Sequence, residues 1–318
     1  MNQVFVACFA IFVFQASAHA ADKIRIGFPD MAAQFVPVAL AQKRGFFEEE
    51  GLQAEFIRVS PTPAVAALVG GELDYYTVIG TGVAAAIRGV PVKAVAAYVP
   101  GAPIALIARS EFKSVQELKG KAIGLLSLGT ALEAIARLIF KHFGIDPDRE
   151  VKFLVTGTIE GRFASMKQGF TAATLGSPPI DFQGKKLGFV VLARAHELFS
   201  YPISGLVAGV KKITERPDEI KRVIKAGIKA NRYINQNRDG SIEVMAEWLK
   251  MNKEMAAATY DSLSKAFNDD GNLTEKGLRL VLEEAKRVGK VEREISPGEV
   301  ADLTILKEAQ REMGNQGR

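Results

Sequence analysis

The sequence is poor in the side chains that form thiol and metal sites. Its 318 residues include one cysteine, Cys8, and three histidines. A single thiol excludes an internal disulfide framework and a thiolate metal cluster. His142 and His196 are isolated from one another, so no pair of ligands occurs at the spacing of a helical zinc motif. We therefore expect no metal and no cofactor.

The chain also lacks runs of basic residues. Lysine and arginine total 41 against 36 acidic residues, a formal net charge of +5, and no five basic residues are consecutive. Nucleic-acid-binding proteins concentrate positive charge on one face or segment. A nucleic-acid partner is therefore not expected.

The first twenty residues, MNQVFVACFAIFVFQASAHA, contain no charged residue. An apolar stretch over 4–14 precedes Ala18-His19-Ala20, which fits the A-x-A cleavage pattern of a secretory signal peptide. The stretch is shorter than the roughly 20 residues that a membrane-spanning helix needs. No Lys or Arg marks its start, which departs from the usual pattern. The segment predicts a signal peptide over 1–20, export to the periplasm and a mature chain without cysteine.

From residue 23 onward, short apolar runs alternate with helix-like segments. This alternation predicts an α/β fold with mostly parallel sheets. The predicted strands are 23–28, 54–59, 73–79, 92–99, 121–126, 151–156, 170–175 and 189–194. The predicted helices between them include 34–47, 63–71, 82–88 and 129–144.

Two stretches share one order of elements. AALVGGELDYYTVIGTG and FASMKQGFTAATLGSPP each run from a helix end through a glycine and a strand into a Gly-Thr or Gly-Ser turn. This likeness predicts two α/β lobes built alike. We expect lobe I over 21–107 and 203–318, lobe II over 108–202, and hinges near 99–110 and 194–205.

After residue 210 the pattern becomes helical. Pro217 suits a first helical turn, and Ser296 with Glu299 fits a capping box. Trp248 lies on an apolar face, which predicts a core residue.

The segment VIGTGVAAAIRG, 78–89, fits the spacing G-x-G-x-x-A through Gly80, Gly82 and Ala85. A dinucleotide fingerprint also needs an acidic residue about 20 positions later. The next strand instead ends in AAYVPGAP, without an acid. A nucleotide site is therefore not supported.

Small and hydroxyl residues recur where strands end. They occupy 60–63, 80–82, 127–130, 156–161 and 176–179. Helix N-termini expose unpaired N–H groups, and ligands of open α/β sheets bind outside the carboxyl ends of the strands. One such turn alone is usually a helix cap, but five of them, divided between two similar lobes, predict a ligand cleft between the lobes.

Four segments then resemble a known family: AQKRGFFEEEGL (41–52), ALVGGELDYY (67–76), RGVPVKAVA (88–96) and SVQELKGKAIG (114–124). Over 23–210 the chain resembles the exported substrate-binding proteins of bacterial ABC importers. The group is the type II family that includes sulfonate, taurine, nitrate and thiamine-pyrimidine-precursor binders. The resemblance implies a two-lobed type II periplasmic-binding-protein fold, with a flanked, mostly parallel sheet in each lobe and a two-strand hinge. Such a protein closes on a small solute and delivers it to a permease.

Carried over by position, the resemblance implies ligand contacts from both lobes. These are Asp30, Met31, Gln34, Ser60, Thr62, Gly80 and Thr81 from lobe I, and Ser127, Gly129, Thr130, Thr156, Thr158, Glu160 and Ser177 from lobe II. We expect a small anionic or zwitterionic organic ligand. Asp30 and Glu160 would contact an amine, and Arg162 would contact a carboxylate or sulfonate unless it is solvated.

Two alternatives stay open. An enzyme on the same scaffold, resembling the futalosine-pathway lyases, could use Asp30 and Glu160 as acid and base. The cysteine- and histidine-rich site of the related pyrimidine synthases has no counterpart in the sequence. A ligand-sensing subunit of a membrane sensor is the other alternative. The leading expectation is a monomeric, non-enzymatic binding protein whose partners are a permease and its ATPase.

Overall fold

The computed structural model describes residues 21–315. The predicted signal peptide, with Cys8, lies outside the described residues. Ten strands form, namely β1 (Asp22–Phe28), β2 (Leu52–Arg58), β3 (Tyr75–Val78), β4 (Val92–Val99), β5 (Ala105–Ala108), β6 (Ala122–Leu125), β7 (Lys152–Val155), β8 (Ala173–Gly176), β9 (Val190–Arg194) and β10 (Ser204–Gly209).

The α-helices of the described residues flank and connect these strands. They are α1 (Val36–Lys43), α2 (Phe46–Glu49), α3 (Pro61–Gly70), α4 (Ile79–Ala86), α5 (Ala131–His142), α6 (Ile159–Lys167), α7 (Ile180–Lys186), α8 (Ala195–Leu198), α9 (Val210–Glu215), α10 (Pro217–Gln236), α11 (Arg238–Trp248), α12 (Lys253–Leu263), α13 (Glu275–Gly289), α14 (Pro297–Val300) and α15 (Thr304–Asn315). Short 3-10 helices cover Ala33–Phe35, Gln116–Leu118 and Ser264–Ala266.

The strands form two five-stranded sheets. The first has the order β2-β1-β3-β10-β4, and the second has the order β7-β6-β8-β5-β9. In the first sheet, β1 pairs in parallel with β2 and β3, while β10 runs antiparallel to β3 and β4. In the second sheet, β6 pairs in parallel with β7 and β8, while β5 runs antiparallel to β8 and β9. The two sheets therefore have the same arrangement, with one antiparallel strand in fourth place.

The internal likeness of the sequence reflects this arrangement. The two similar stretches contain β3 and β8, and each of these strands holds the third position in its sheet. Helix α3 precedes β3 and helix α6 precedes β8. The predicted two-lobed α/β architecture is therefore confirmed.

The chain passes between the sheets twice, over 100–104 and over 195–203. Strand β5 already belongs to the second sheet, so the expected boundary between residues 107 and 108 falls inside a strand. The expected return boundary, between 202 and 203, lies in the second passage. The assignment of whole segments to lobe I and lobe II stays a proposal.

The two antiparallel strands, β5 and β10, are the ones that the sequence pattern did not predict as strands. β10 contains Gly205, where a Cβ atom would lie 2.1 Å from the Ala96 carbonyl oxygen. The close approach of β10 to β4 thus demands glycine, which is a residue that weakens the strand signal. Both strands also follow stretches that contain Pro or Gly, so the sequence pattern predicts hinges there.

The helices after β10 mostly pack on the first sheet. α10 contacts α1, α11 and α15, and its buried face joins the core beneath the sheet through Ile220, Ile224 and Ile228. α13 packs on α4 and joins a second core that also contains Ile123 and Ile135 of the second sheet region. Pro217 begins α10, and Glu299 accepts the Ser296 N–H at 2.8 Å, as predicted from the capping pattern.

Within residues 21–315, no helix combines the length and apolar composition that a membrane crossing requires. The predicted helix over 34–47 is divided into α1 and α2 at Gly45, whose φ of 75° lies in the left-handed region that favours glycine.

Candidate functional site

The predicted ligand residues lie where the parallel strands of each sheet end. Asp30 and Met31 follow β1, with Gln34 in the adjacent 3-10 helix, while Ser60 and Thr62 follow β2, and Gly80 and Thr81 follow β3. In the second sheet, Ser127, Gly129 and Thr130 follow β6, while Thr156, Thr158 and Glu160 follow β7, and Ser177 follows β8. Each sheet thus collects its own set at one edge, which is the edge used by ligands of open α/β sheets. That the two sets share one ligand stays a prediction.

The loop after β1 carries an unusual carboxyl group. Although Asp30 is exposed to solvent, the protein around its carboxyl disfavours the charged form and raises the pKa of Asp30. The nearby charge of Arg58 opposes this rise, and Arg58 Nε also donates to the Pro29 carbonyl oxygen at 3.4 Å. A positively charged group placed beside Asp30 would stabilise the charged form of its carboxyl.

Two buried polar atoms beside this loop have no hydrogen-bond partner within residues 21–315. They are Oε1 of Gln34 and Nε1 of Trp248. Met31 and Trp248 line one cavity of about 380 Å³ between α1 and α11, and the Trp248 ring lies 5.3 Å from the ring of Phe28. Buried polar groups are normally hydrogen-bonded, so an acceptor and a donor are available here.

Trp248 is half-buried and packs against the core of the first sheet, as expected, and it also lines the cavity beside Met31. The hydrophobic periodicity of α11 correctly placed Trp248 on the inward side of the helix. Periodicity carries no information about which inward positions meet a cavity instead of packed side chains.

Helix α4 begins at Ile79, three residues before the predicted start at residue 82. Gly80 and Thr81 therefore lie in its first turn and not in a loop that precedes it. A Cβ atom on Gly82 would lie 2.6 Å from both γ-carbons of Val207 on β10, whereas a Cβ on Gly80 would meet no atom within 4 Å. Helix–sheet packing therefore requires glycine at position 82, whereas a side chain at position 80 would point into open space.

The structure brings Thr62 and Thr81 together. Both line a cavity of about 300 Å³ between α3 and α4, with Arg88 at the same cavity. Ser60 is exposed at the start of α3 and makes no side-chain capping hydrogen bond there. The hydroxyl groups of this edge are thus available to a ligand.

The loop after β6 is already occupied by a carboxylate. The Gly129 N–H donates to Glu133 Oε2 at 2.6 Å, and Arg137 Nε donates to Glu133 Oε1 at 2.7 Å. Burial raises the pKa of Glu133, but the hydrogen bonds from Gly129 and Arg137 outweigh burial and leave the pKa below its ordinary value. Thr130, at the N-cap of α5, donates to the Ser127 carbonyl oxygen at 3.4 Å.

The Gly129 N–H is therefore already bonded to a carboxylate of its own helix, and a ligand contact at Gly129 stays a prediction. The sequence held a signal for this, because Thr130 and Glu133 have the S/T-x-x-E spacing of a capping box. In the structure Glu133 takes the N–H of Gly129.

In the loop after β7, the polar groups likewise form hydrogen bonds with neighbouring residues of the chain. Thr158 caps α6 by accepting the Gly161 N–H, and hydrogen bonds from the Glu160 N–H and the Thr158 hydroxyl lower the pKa of Glu160. The Thr156 hydroxyl is buried without a partner and lies 2.6 Å from where a Cβ on Gly124 would be, so this side chain packs against β6. Two helix N-termini of the second sheet, those of α5 and α6, thus carry their own carboxylates.

Arg162 is neither solvated nor free for a carboxylate. It is buried, and its guanidinium donates to the carbonyl oxygens of Leu175 and Thr158. Burial lowers the pKa of Arg162. Its role in the structure is to tie α6 to β8. Ser177, which follows β8, is half-buried, and its carbonyl oxygen accepts the Ile180 N–H at 3.2 Å.

Exposed apolar side chains accompany the polar groups of these loops. Met31, Leu126 and Leu128 are 38%, 52% and 53% exposed. Leu126 and Leu128 flank Ser127 in the loop after β6, so both edges offer apolar surface next to hydroxyl and carboxylate groups. Within residues 21–315, no group of three or more His, Cys, Asp or Glu side chains is placed to hold a metal ion.

Comparison with solved structures defines the fold class. The periplasmic aliphatic sulphonate binding protein SsuA of Escherichia coli has a TM-score of 0.69 at 16% identity, covering 89% of this chain and 93% of that one. The ligand-binding component of an ABC-type import system of Staphylococcus aureus has a TM-score of 0.67 at 16% identity, covering 91% and 99%. The protein has the two-lobed periplasmic-binding-protein fold.

Comparison of sequences defines the family. Residues 32–240 match the family described as NMT1/THI5 like, so the chain belongs to the NMT1/THI5-like family. A protein of Brucella abortus (strain 2308), provisionally named a binding protein, is 29% identical over 260 residues, which are 79% of this chain and 80% of that protein. The predicted resemblance is thus confirmed.

Proposed function

We propose that the protein is a periplasmic solute-binding protein that captures a small zwitterionic organic molecule and delivers it to an ABC importer. The observation that supports this most is the gathering of the predicted ligand residues at the carboxyl-end edge of each of two matching sheets. Family membership and the names of similar proteins support a binding role over an enzymatic one.

The charge of the ligand follows from the distribution of carboxyl groups. Glu133 and Glu160 already occupy two helix N-termini in the second sheet, and Asp30 lies at the edge of the first. A helix N-terminus contributes only about 0.3–1 kcal/mol to an exposed anion, and a carboxylate that already sits there opposes a second anion. A ligand with both a positive and a negative group fits this edge better than a simple anion does.

Closure of the lobes supplies the remaining affinity. Micromolar binding needs about 8 kcal/mol, which two or three helix ends do not reach. The chain passes between the sheets over 100–104 and 195–203, and two such passages are where rotation of one lobe against the other would occur. Burial of apolar ligand surface against Met31, Leu126 and Leu128 on closure would add about 25 cal/mol per Å².

The location and partners follow from the same proposal. The charge-free segment 1–20 would direct export to the periplasm, where the mature protein would act as a monomer. A permease and its ATPase would receive the ligand, as the name of the Staphylococcus aureus import component suggests for that protein.

A thermal-shift screen tests the proposal. Refolded, ligand-free protein would be heated with taurine, longer alkanesulfonates, aromatic carboxylates, nitrate and pyrimidine precursors. We expect stabilisation by a zwitterion, and loss of that shift in Thr81→Trp and Thr130→Trp. Thr214→Trp is the matched control, because Thr214 lies on α9, after the far end of β10, and is exposed.

Two further results distinguish the alternatives. Native mass spectrometry of protein purified without refolding would reveal a retained solute. If that solute were converted to a product during incubation, an enzyme would be favoured. Absence of stabilisation by every ligand class would count against solute binding.

A further inference from the structure

A cavity of about 590 Å³ lies between α7, β9 and α12. Its volume falls in the range of small-molecule sites. Half of its lining residues are apolar, with Phe182, Phe189 and Val190 from α7 and β9 and Ala258 from α12, and the other half are polar or charged. Helix α12 also packs into the core of the first sheet, so the cavity lies between the two lobes.

One wall of the cavity holds a buried carboxylate with an unused oxygen. The Asp181 side chain is 8% exposed, and its Oδ2 lies 2.7 Å from Arg194 Nη2. Its other oxygen, Oδ1, is buried and has no hydrogen-bond partner within residues 21–315, so a ligand reaches it by displacing the side chains that cover it. A buried carboxylate oxygen without a donor is costly, so a ligand that supplies an N–H there would gain a charge-assisted hydrogen bond.

The remaining charges at the cavity are mostly compensated. Asp261 accepts two hydrogen bonds from Arg238, at 3.0 and 2.9 Å. Arg194 donates to Ser262 Oγ at 2.7 Å in addition to its contact with Asp181. Lys185 differs, because no carboxylate between residues 21 and 315 lies within 4 Å of its ammonium group.

Asp181 and Lys185 are four residues apart on α7, so their side chains lie on one face of the helix. The cavity therefore offers an acceptor, a cation and apolar side chains. We infer that it binds a second small molecule with the chemistry of an apolar α-amino acid. The ligand's ammonium group donates to Asp181 Oδ1, its carboxylate faces Lys185, and its side chain packs against Phe182 and Phe189.

Binding of L-phenylalanine, measured by isothermal titration calorimetry, tests this site. Phenethylamine lacks the carboxylate, 3-phenylpropionate lacks the ammonium group and glycine lacks the apolar part. We expect each of them to bind at least about tenfold more weakly than L-phenylalanine, because each loses one of the three contacts. L-Leucine should bind as well.

Variants locate the binding. Lys185→Met should weaken L-phenylalanine binding about tenfold. Lys167→Met is the matched control, because Lys167 is an exposed lysine at the end of α6, and it should leave binding unchanged. Asp181→Asn should also weaken binding about tenfold, because the ligand's ammonium group loses its charged acceptor. Because Asp181→Asn changes a buried ion pair, the melting curve of this variant is recorded alongside. If Asp181→Asn unfolds, Lys185→Met still tests the site, because Lys185 is exposed.

Two outcomes would overturn the inference. The first is the absence of any heat from L-phenylalanine and L-leucine at millimolar concentration. The second is binding that Thr130→Trp removes and Lys185→Met leaves unchanged, which would place the amino acid at the strand-end loops.

Discussion

Gly129 donates its backbone N–H to Glu133 Oε2 at 2.6 Å, which places a buried carboxylate at the first turn of α5. The same carboxylate accepts from Arg137. This relationship shows why a small-residue turn at a helix N-terminus need not be an anion site. The positive end of the helix is already neutralised by a residue of the helix itself.

Glu133→Gln should lower the free energy of unfolding by about 1–3 kcal/mol at neutral pH, because a charged acceptor is lost. The pKa of Glu133 is lowered in the folded protein, so the carboxylate stabilises the fold above its unfolded pKa, near 4.5. That stabilisation is lost as the pH falls through the folded pKa. Urea denaturation of both proteins should therefore show a difference that shrinks below about pH 4.5.

The exposed Glu72 provides the control for this experiment. Glu72→Gln should leave the free energy of unfolding close to that of the natural sequence at every pH. A Glu133→Gln difference that stayed constant down to about pH 3 would contradict the role given to the Glu133 carboxylate.

Two glycines of α4 should respond in opposite directions to alanine. Gly82→Ala places a Cβ atom 2.6 Å from the Val207 γ-carbons and should destabilise the protein by about 1–3 kcal/mol. Gly80→Ala meets open space and should stabilise it by about 0.5–1 kcal/mol, because alanine restricts the unfolded chain more than glycine does. Chemical denaturation measures both changes in the free energy of unfolding. Changes of the same sign would contradict the packing described for Gly80 and Gly82.

Arg162→Lys should destabilise the protein by about 1–3 kcal/mol. Arg162 is buried and donates to the carbonyl oxygens of Leu175 and Thr158, and an ammonium group cannot reproduce the planar fork of the guanidinium. Arg149→Lys is the matched control, because the Arg149 side chain is exposed and its Nε lies 3.7 Å from Asp146 Oδ2. If Arg162→Lys instead left the melting temperature unchanged and reduced solute binding alone, Arg162 would be a ligand residue.

Trp248 provides a spectroscopic test because it is the sole tryptophan of the chain. Its Nε1 has no hydrogen-bond partner in the described part of the chain, and Trp248 shares a cavity with Met31 of the strand-end loop. A solute held by that loop should change the wavelength or intensity of tryptophan emission. Trp248→Phe should abolish the signal while calorimetry still detects binding. Binding at saturation without any change in emission would separate this cavity from the ligand site.

Much of the fold followed from local patterns in the sequence. The alternation of apolar runs and helices predicted eight of the strands, because strand and helix periods differ and glycine marks their ends. The repeated order around β3 and β8 predicted two similar lobes. The sequence pattern did not predict β5 and β10, because both are antiparallel strands whose partners are distant in sequence. In β10, the close approach of the backbone to Ala96 requires glycine at position 205.

The candidate site followed only in part. The sequence determined which residues stand at strand ends, and hence that Asp30, Thr62, Thr81 and Thr130 follow the carboxyl ends of parallel strands. It also carried the Thr130–Glu133 spacing, whose consequence for Gly129 depends on side-chain geometry. Only the tertiary structure decided that Gly82 packs on Val207, that Arg162 is buried and that Trp248 meets Met31. Those facts depend on contacts between residues far apart in the chain, which local periodicity does not encode.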